Sequence, residues 1–254
     1  MIEVNSISKK FKLSKKQRRE SGKKQKFIQS VKDVSFKCRQ GRVFTLLGPN
    51  GAGKTTILRM IATMLKPDSG TIKVEGFDTV KQAGKVRENI GFLTGSTGLY
   101  ARLTPDEIIK YYADLYGLEN KYFKERKDSI FKSLGIDEFS KRRIGKLSSG
   151  MKQKVSIART LIHNPNVVIF DEPTVGLDVI TSRNIIKLIR DCKEEGKTVI
   201  FSTHIMGEVN MLSDDLAIIH EGEMVYLGTF SKFKSEMKEK TLEDEFVRII
   251  GGNL

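Results

Sequence analysis

The 254-residue sequence predicts an α/β protein, and three observations carry that prediction. Short apolar runs alternate with segments whose apolar residues recur every three or four positions, the rhythm of strands joined by helices. One run, Val43 to Leu47, is almost continuously apolar and leads through a glycine-rich octapeptide into a helical pattern. From about Leu99 to Thr160 the pattern is helical throughout, with no strand between, which predicts a helical subdomain inserted into the α/β frame.

Taken in order, Ile2 to Ile7 and Val31 to Cys38 alternate apolar and polar residues, as half-buried antiparallel strands do. Val43 to Leu47 reads as a central strand, and Ile57, Leu58, Ile61 and Leu65 mark the helix that follows it. Ile72 to Val74 and Ile90 to Leu93 read as further strands. In the helical stretch, Ile108, Ile109, Tyr112 and Leu115 mark one apolar face and Ile130, Phe131 and Leu134 a second; a third helix begins after Leu147-Ser148-Ser149-Gly150. The α/β rhythm resumes with strand Val167 to Asp171, helix Thr181 to Cys192 and strand Thr198 to Thr203. Leu216 to Ile219 and Met224 to Leu227, joined by Glu221-Gly222, form a strand pair, and two amphipathic helices end at Ile250.

Composition narrows the class. At 39% hydrophobic and 30% charged, the chain is neither disordered nor fibrous. No apolar run approaches the roughly 18 residues needed to span a bilayer, and the start does not resemble a signal peptide, so a soluble intracellular chain is expected. Cys38 and Cys192 sit in no metal-ligand spacing and read as reduced structural thiols. The net charge of +14 is uneven: Lys9 to Lys26 holds ten Lys or Arg against Glu20, which is +9 and leaves +5 for all other residues. A local cluster of this kind predicts a basic insertion or arm rather than a globally basic nucleic-acid binder.

Gly48-Pro49-Asn50-Gly51-Ala52-Gly53-Lys54-Thr55 matches the phosphate-loop pattern G-x-x-x-x-G-K-[ST] in full, between a strand and a helix. Glycines let backbone N–H groups converge on phosphate oxygens, and the helix that follows adds the positive end of its dipole. Lys54 then serves the β- and γ-phosphates and the Thr55 hydroxyl is a Mg²⁺ ligand, with Thr56 next along the same turn. The buried strand Val167 to Phe170 presents Asp171, placed to hold Mg²⁺ through water, and Glu172, placed to polarise an attacking water. The expected ligands are ATP and Mg²⁺.

Leu147-Ser148-Ser149-Gly150-Met151 resembles the L-S-G-G-Q signature of ATP-binding cassette (ABC) ATPases, with Ser149 for a glycine and Met151 for the glutamine. The resemblance covers about residues 1–230 and implies the ABC form of the phosphate-loop fold, with an antiparallel β subdomain and an inserted helical subdomain. It implies core segments at about 1–94 and 161–230, a helical subdomain at 95–160 and a C-terminal helical extension at 231–254. It also implies that the signature meets the γ-phosphate held by a second cassette, that Asp178 lies in the D-loop, that His204 senses the γ-phosphate and that Phe11 stacks on adenine, although a core role for Phe11 is open. One departure stands out: Gly95 falls where the family has a glutamine reaching Mg²⁺ and facing the membrane subunit.

The resemblance therefore implies ATP hydrolysis by a head-to-tail homodimer that powers export through a separate integral membrane permease, peripheral to the cytoplasmic face of the cell membrane. Leu93 to Tyr100 with Arg102-Leu103-Thr104-Pro105 resembles the NatA-type cassettes of bacterial sodium exporters; related cassettes export drugs, peptides or polysaccharides. Leu242-Glu243-Asp244-Glu245-Phe246 resembles the terminal helix of exporter-type cassettes. The rival reading is a non-transport ABC ATPase. The basic 9–26 segment reads first as a solvated hairpin extension, then as a contact for anionic lipid, and least as a nucleic-acid site.

Overall fold

The computed structural model describes residues 1–14, 26–94 and 98–251. Among them, the strands form two sheets. β1 (Ile2–Lys12), β2 (Phe27–Cys38), β4 (Ser69–Val74) and β5 (Phe77–Asp78) make an antiparallel sheet in the order β2-β1-β4-β5. β3 (Val43–Leu47), β6 (Ile90–Leu93), β7 (Val167–Asp171), β8 (Thr198–Thr203), β9 (Asp215–His220) and β10 (Glu223–Thr229) make the second, in the order β10-β9-β3-β8-β7-β6. Every ladder of that sheet is parallel except β10 against β9. All residues of β3, β7 and β8 are buried, which explains their unbroken apolar runs: strands covered on both faces have no solvent side to alternate toward.

The helices are α1 (Lys54–Ile61), α2 (Ala83–Asn89), α3 (Pro105–Leu115), α4 (Asn120–Leu134), α5 (Ser149–Leu161), α6 (Val179–Glu194), α7 (Met206–Leu212), α8 (Phe230–Glu236) and α9 (Leu242–Ile249). α3 to α5 lie in sequence between β6 and β7 with no strand among the described residues there. A capping box starts α3: the Glu107 N–H donates to Thr104 Oγ1 (3.2 Å) and the Thr104 N–H to Glu107 Oε2 (2.8 Å), with Pro105 as the first helical residue. Ile108, Ile109, Phe131 and Leu134 are buried, but Leu115, expected on the apolar face, is 63% exposed. α3 ends at that residue, so its last turn passes the core without covering it.

Two main cores result. One lies between the sheets, where Phe36 and Phe44 stack at 4.8 Å beside Ile2, Ile57 and Ile200. The other joins the parallel sheet to α3–α6 through Phe131, Val155, Phe170 and Phe201. His163, just past α5, hydrogen-bonds through Nε2 to the Ile90 carbonyl (3.0 Å) and stacks on Tyr116 with ring centres 3.9 Å apart, tying the helical layer to β6. Burial lowers its pKa to about 4, so the neutral ring is the form the fold holds. β1 and β2 run several residues beyond the alternating stretches, to Lys12 and from Phe27, because the basic end of this pair has no buried face to reveal it by pattern.

The register decides where chemistry can occur. Leu47 pairs with Thr203, and Asp171 with Ser202, so the loops following β3, β7 and β8 leave the same end of the sheet side by side. In an open parallel sheet that end, at neighbouring carboxyl-terminal loops, is where a ligand crevice forms.

Candidate functional site

The loop after β3 is built so that only glycine fits its key positions. Gly53 has φ +112°, and a Cβ there would lie 2.4 Å from the Ser30 carbonyl oxygen of β2; one on Gly48 would lie 2.3 Å from the Ile219 carbonyl oxygen. Ser30 also meets Thr56 of α1, hydroxyl to hydroxyl, at 3.0 Å. The antiparallel sheet thus backs directly onto the loop. Lys54 is 4% exposed, with its ammonium inside the loop, donating to the carbonyls of Gly48 (2.6 Å) and Pro49 (3.1 Å).

Two side chains converge on one oxygen of a third beside this loop. Glu172 Oε1 stands 3.3 Å from Lys54 Nζ and 3.3 Å from His204 Nδ1. Glu172 is aimed there by a left-handed backbone, φ +49°, and its N–H donates to the Ser202 carbonyl (3.2 Å) and hydroxyl (3.1 Å). A carboxylate flanked by an ammonium and an imidazole can orient a water and share its proton.

Next to it, Asp171 Oδ1 accepts from the Thr55 hydroxyl (3.0 Å) and the Ser202 hydroxyl (2.7 Å). A hydroxyl and a carboxylate in contact suit a small divalent cation that brings water and phosphate oxygens of its own, so the donor set fits Mg²⁺.

Ser148 caps α5, its hydroxyl accepting from the Met151 N–H (3.2 Å), while Leu147 is buried and Met151 packs on the helical core. Ser149 and Gly150 open α5, and Gly150 faces Asp178 and Thr181. Asp178 in turn caps α6, accepting from the Thr181 N–H (2.9 Å) and hydroxyl (2.7 Å), and these bonds hold its carboxyl below the usual range. The signature and Asp178 are thus neighbours, while Pro49, Asn50, Gly51 and Ala52 belong to the other group, in the loop with Lys54. Phe11 is 37% exposed at the far end of β1, opposite Ile28, which lies two residues from Ser30. Lys9 Nζ lies 5.9 Å from the centre of the Phe11 ring. Gly95 and residues 15–25 of the basic segment lie outside the described residues.

Pattern reading of the sequence passed over three residues. Ser202 holds both strand-end acids, the buried Gln153 of α5 donates to the Pro173 carbonyl (3.0 Å), and the buried Glu208 of α7 accepts from Thr203 (2.5 Å) and Thr174. The available signal for Glu208 was a carboxylate one helical turn before Leu212, on an otherwise apolar face.

A central parallel strand feeding a glycine loop, with Asp-Glu at the end of the second strand along, defines a phosphate-loop nucleoside triphosphatase. A family model described as "ABC transporter" matches residues 31–175, and the chain belongs to that family. It is 48% identical over 218 residues to the ABC transporter ATP-binding protein NatA of Bacillus subtilis (strain 168), covering 85% of this chain and 89% of that one. It is 37% identical to the linearmycin resistance ATP-binding protein LnrL of the same organism, covering 84% and 68%. Its fold matches a post-hydrolysis dimer of the ATP-binding cassette MJ0796 bound to ADP and Pi, with TM-score 0.78, 25% identity and coverage of 90% and 98%. The chain is an ATP-binding subunit of an ABC transporter, with the ATPase chemistry of that family. Among the described residues no helix is long and apolar enough to cross a membrane.

Proposed function

We propose that the chain hydrolyses ATP at a site whose other half comes from a second copy, and that this powers export through a separate permease. Residues 48–56 wrap the phosphates, with Lys54 on the β- and γ-oxygens. Glu172 orients and deprotonates the attacking water, and His204 hydrogen-bonds the γ-phosphate. Phe11 stacks on adenine. Thr55 and Asp171 would hold Mg²⁺, which when bound would neutralise charge on the phosphate oxygens. The observation that carries this reading is the convergence of Lys54 and His204 on one carboxylate oxygen of Glu172 beside the glycine loop.

The second copy supplies Ser148, Ser149 and Gly150 at the start of its α5, with Asp178 alongside. Val175, Val179 and Ile180 support this: all three are exposed around Asp178, an apolar rim suited to cover by a partner. Residues 1–230 act as one cassette, with core segments 1–94 and 161–230, helical subdomain 95–160, and an extension at 231–254. The cassette lies on the cytoplasmic side of the membrane, and the permease meets its cleft of about 310 Å³ between β6 and the helical layer, lined by Arg87, Phe92, Thr94, Tyr112 and Tyr116. Sodium is the proposed cargo, on the likeness of Leu93 to Pro105 to sodium-exporter cassettes; relatives such as the linearmycin resistance protein make a drug the second reading. For the basic 9–26 segment a solvated extension is the first reading and a contact with anionic lipid the second.

Glu172→Gln tests the chemistry. It should keep ATP binding, lower turnover by at least 100-fold and accumulate an ATP-bound dimer, read by phosphate release and light scattering. A monomer with undiminished turnover contradicts both the role of Glu172 and the shared site. Co-purification of that variant with a multi-span membrane protein, followed by sodium efflux from vesicles, tests the cargo.

A further inference from the structure

Glu208 is a buried carboxylate, 5% exposed, with no ion pair among the described residues. Its partners are two hydroxyls, one in the loop after β7 and one on the last residue of β8. Thr174 stands two residues after Glu172, and Thr203 stands immediately before His204. Thr203 Oγ1 also accepts from the Ile205 N–H (3.0 Å), so the turn carrying His204 closes on the same hydroxyl. On the opposite side, Gln153 holds the Pro173 carbonyl. The loop 171–174 is therefore pinned at three successive points, by Ser202, Gln153 and Glu208.

The need for pinning is visible in the backbone. Glu172 has φ +49° and is followed by proline, a combination that disfavours helical backbone at the preceding residue. A non-glycine residue in such a conformation stays there only when its surroundings over-determine it. We infer that Glu208 is a positioning residue for ATP hydrolysis: by tying Thr174 to Thr203 it holds Glu172 in its left-handed turn and keeps Glu172 Oε1 within 3.3 Å of His204 Nδ1. This rests on the roles given to Glu172 and His204 above.

The chemistry of the tie sets the choice of variants. A carboxylate accepts from both hydroxyls at once. An amide accepts from one and donates to the other, which a rotating hydroxyl tolerates. Alanine does neither. With the purified full-length chain and Mg–ATP, Glu208→Ala should lower kcat by about 10- to 100-fold, the scale of a 1 Å misplacement, with KM for ATP within about twofold. Glu208→Gln should recover to within about threefold of the native rate. If Glu208→Ala fails to fold, the pair Thr174→Val and Thr203→Val removes both hydroxyls while keeping side-chain shape, and should reproduce the kcat loss.

A purely structural role would not produce one further result. In the Glu172→Gln background, Glu208→Ala should cause no additional loss of single-turnover hydrolysis, because the group it positions is gone. An undiminished kcat, a matching rise in KM, or a full additional loss in that background overturns the inference. If Glu172→Gln itself turns over like the native chain, the site assignment fails first. If Glu172→Gln stops turnover while Glu208→Ala does not change it, only the positioning role fails.

Discussion

Gly53 shows how one missing side chain lets two sheets share a binding loop. Its φ of +112° and the Ser30 carbonyl 2.4 Å from the Cβ position each exclude other residues. Gly51 also has a positive φ, +82°, but a Cβ there meets nothing within 4 Å. Gly53→Ala should therefore raise the Kd for ATP well beyond tenfold, a loss above about 1.4 kcal/mol, and Gly51→Ala by less, as titration calorimetry would show. Equal effects would mean that backbone conformation alone matters and that the contact with β2 does not. At this scale the loop, Asp171 and Glu172 were legible because their chemistry needs contiguous residues of fixed type. Gln153 and Glu208 were not, since each acts on a loop 20 or 34 residues away in sequence, and no local pattern marks a buried polar side chain.

The C-terminal elements are held by polar detail as much as by packing. α8 and α9 lay Phe230, Phe233, Leu242 and Phe246 on the face formed by Leu47, Val209, Leu216 and Ile218. Glu245 then closes the link between the two helices. It accepts from the N–H groups of Lys238 (3.0 Å) and Glu239 (3.1 Å) and from Arg248 (2.5 and 3.1 Å). The Arg248 guanidinium and these N–H groups lower its pKa to about 2 from an ordinary 4.5. A lowered carboxyl pKa means stability present above the ordinary value and lost as protons bind from about pH 4.5 down to about 2. Glu245→Gln should loosen residues 238–250 by on the order of 2 kcal/mol at neutral pH, read as faster amide exchange there, and should flatten the acid dependence of that exchange. Unchanged exchange would show that apolar contacts alone hold the extension. Amphipathic spacing revealed these helices. The short α2, β5 and α7 gave no such signal: β5 has two residues and α2 a single buried one, Val86, while the polar Glu208 interrupts the buried face of α7.

At the scale of the whole molecule, the proposed assembly rests on where the glycine loop and the start of α5 lie. The glycine loop and Glu172 gather at the loops after β3, β7 and β8, whereas the start of α5 keeps company with Asp178 and the exposed Val179 and Ile180. On the reading proposed above, such a chain carries two different half-sites, and a head-to-tail pair would complete both at once. Sequence order suggested the two halves through the family's motifs; their grouping into separate clusters needed the register of β7 against β8 and the packing of α5 on α6. Complementation tests the arrangement. Lys54→Ala removes the ammonium from the loop, and Gly150→Asp places a carboxylate where the signature should meet phosphate, so neither variant alone should hydrolyse ATP. Mixed in equal amounts, they can form a heterodimer in which the intact loop of the Gly150→Asp chain faces the intact signature of the Lys54→Ala chain. If random pairing makes half of the dimers mixed and each holds one good site of two, turnover should return to about a quarter of the native rate, provided one site can act alone. No recovery across a full range of mixing ratios, with both variants folded, would mean either that the sites do not lie between chains or that the two must fire together. A mixture of Lys54→Ala with native chain separates those outcomes, since it offers the same single good site without the altered signature.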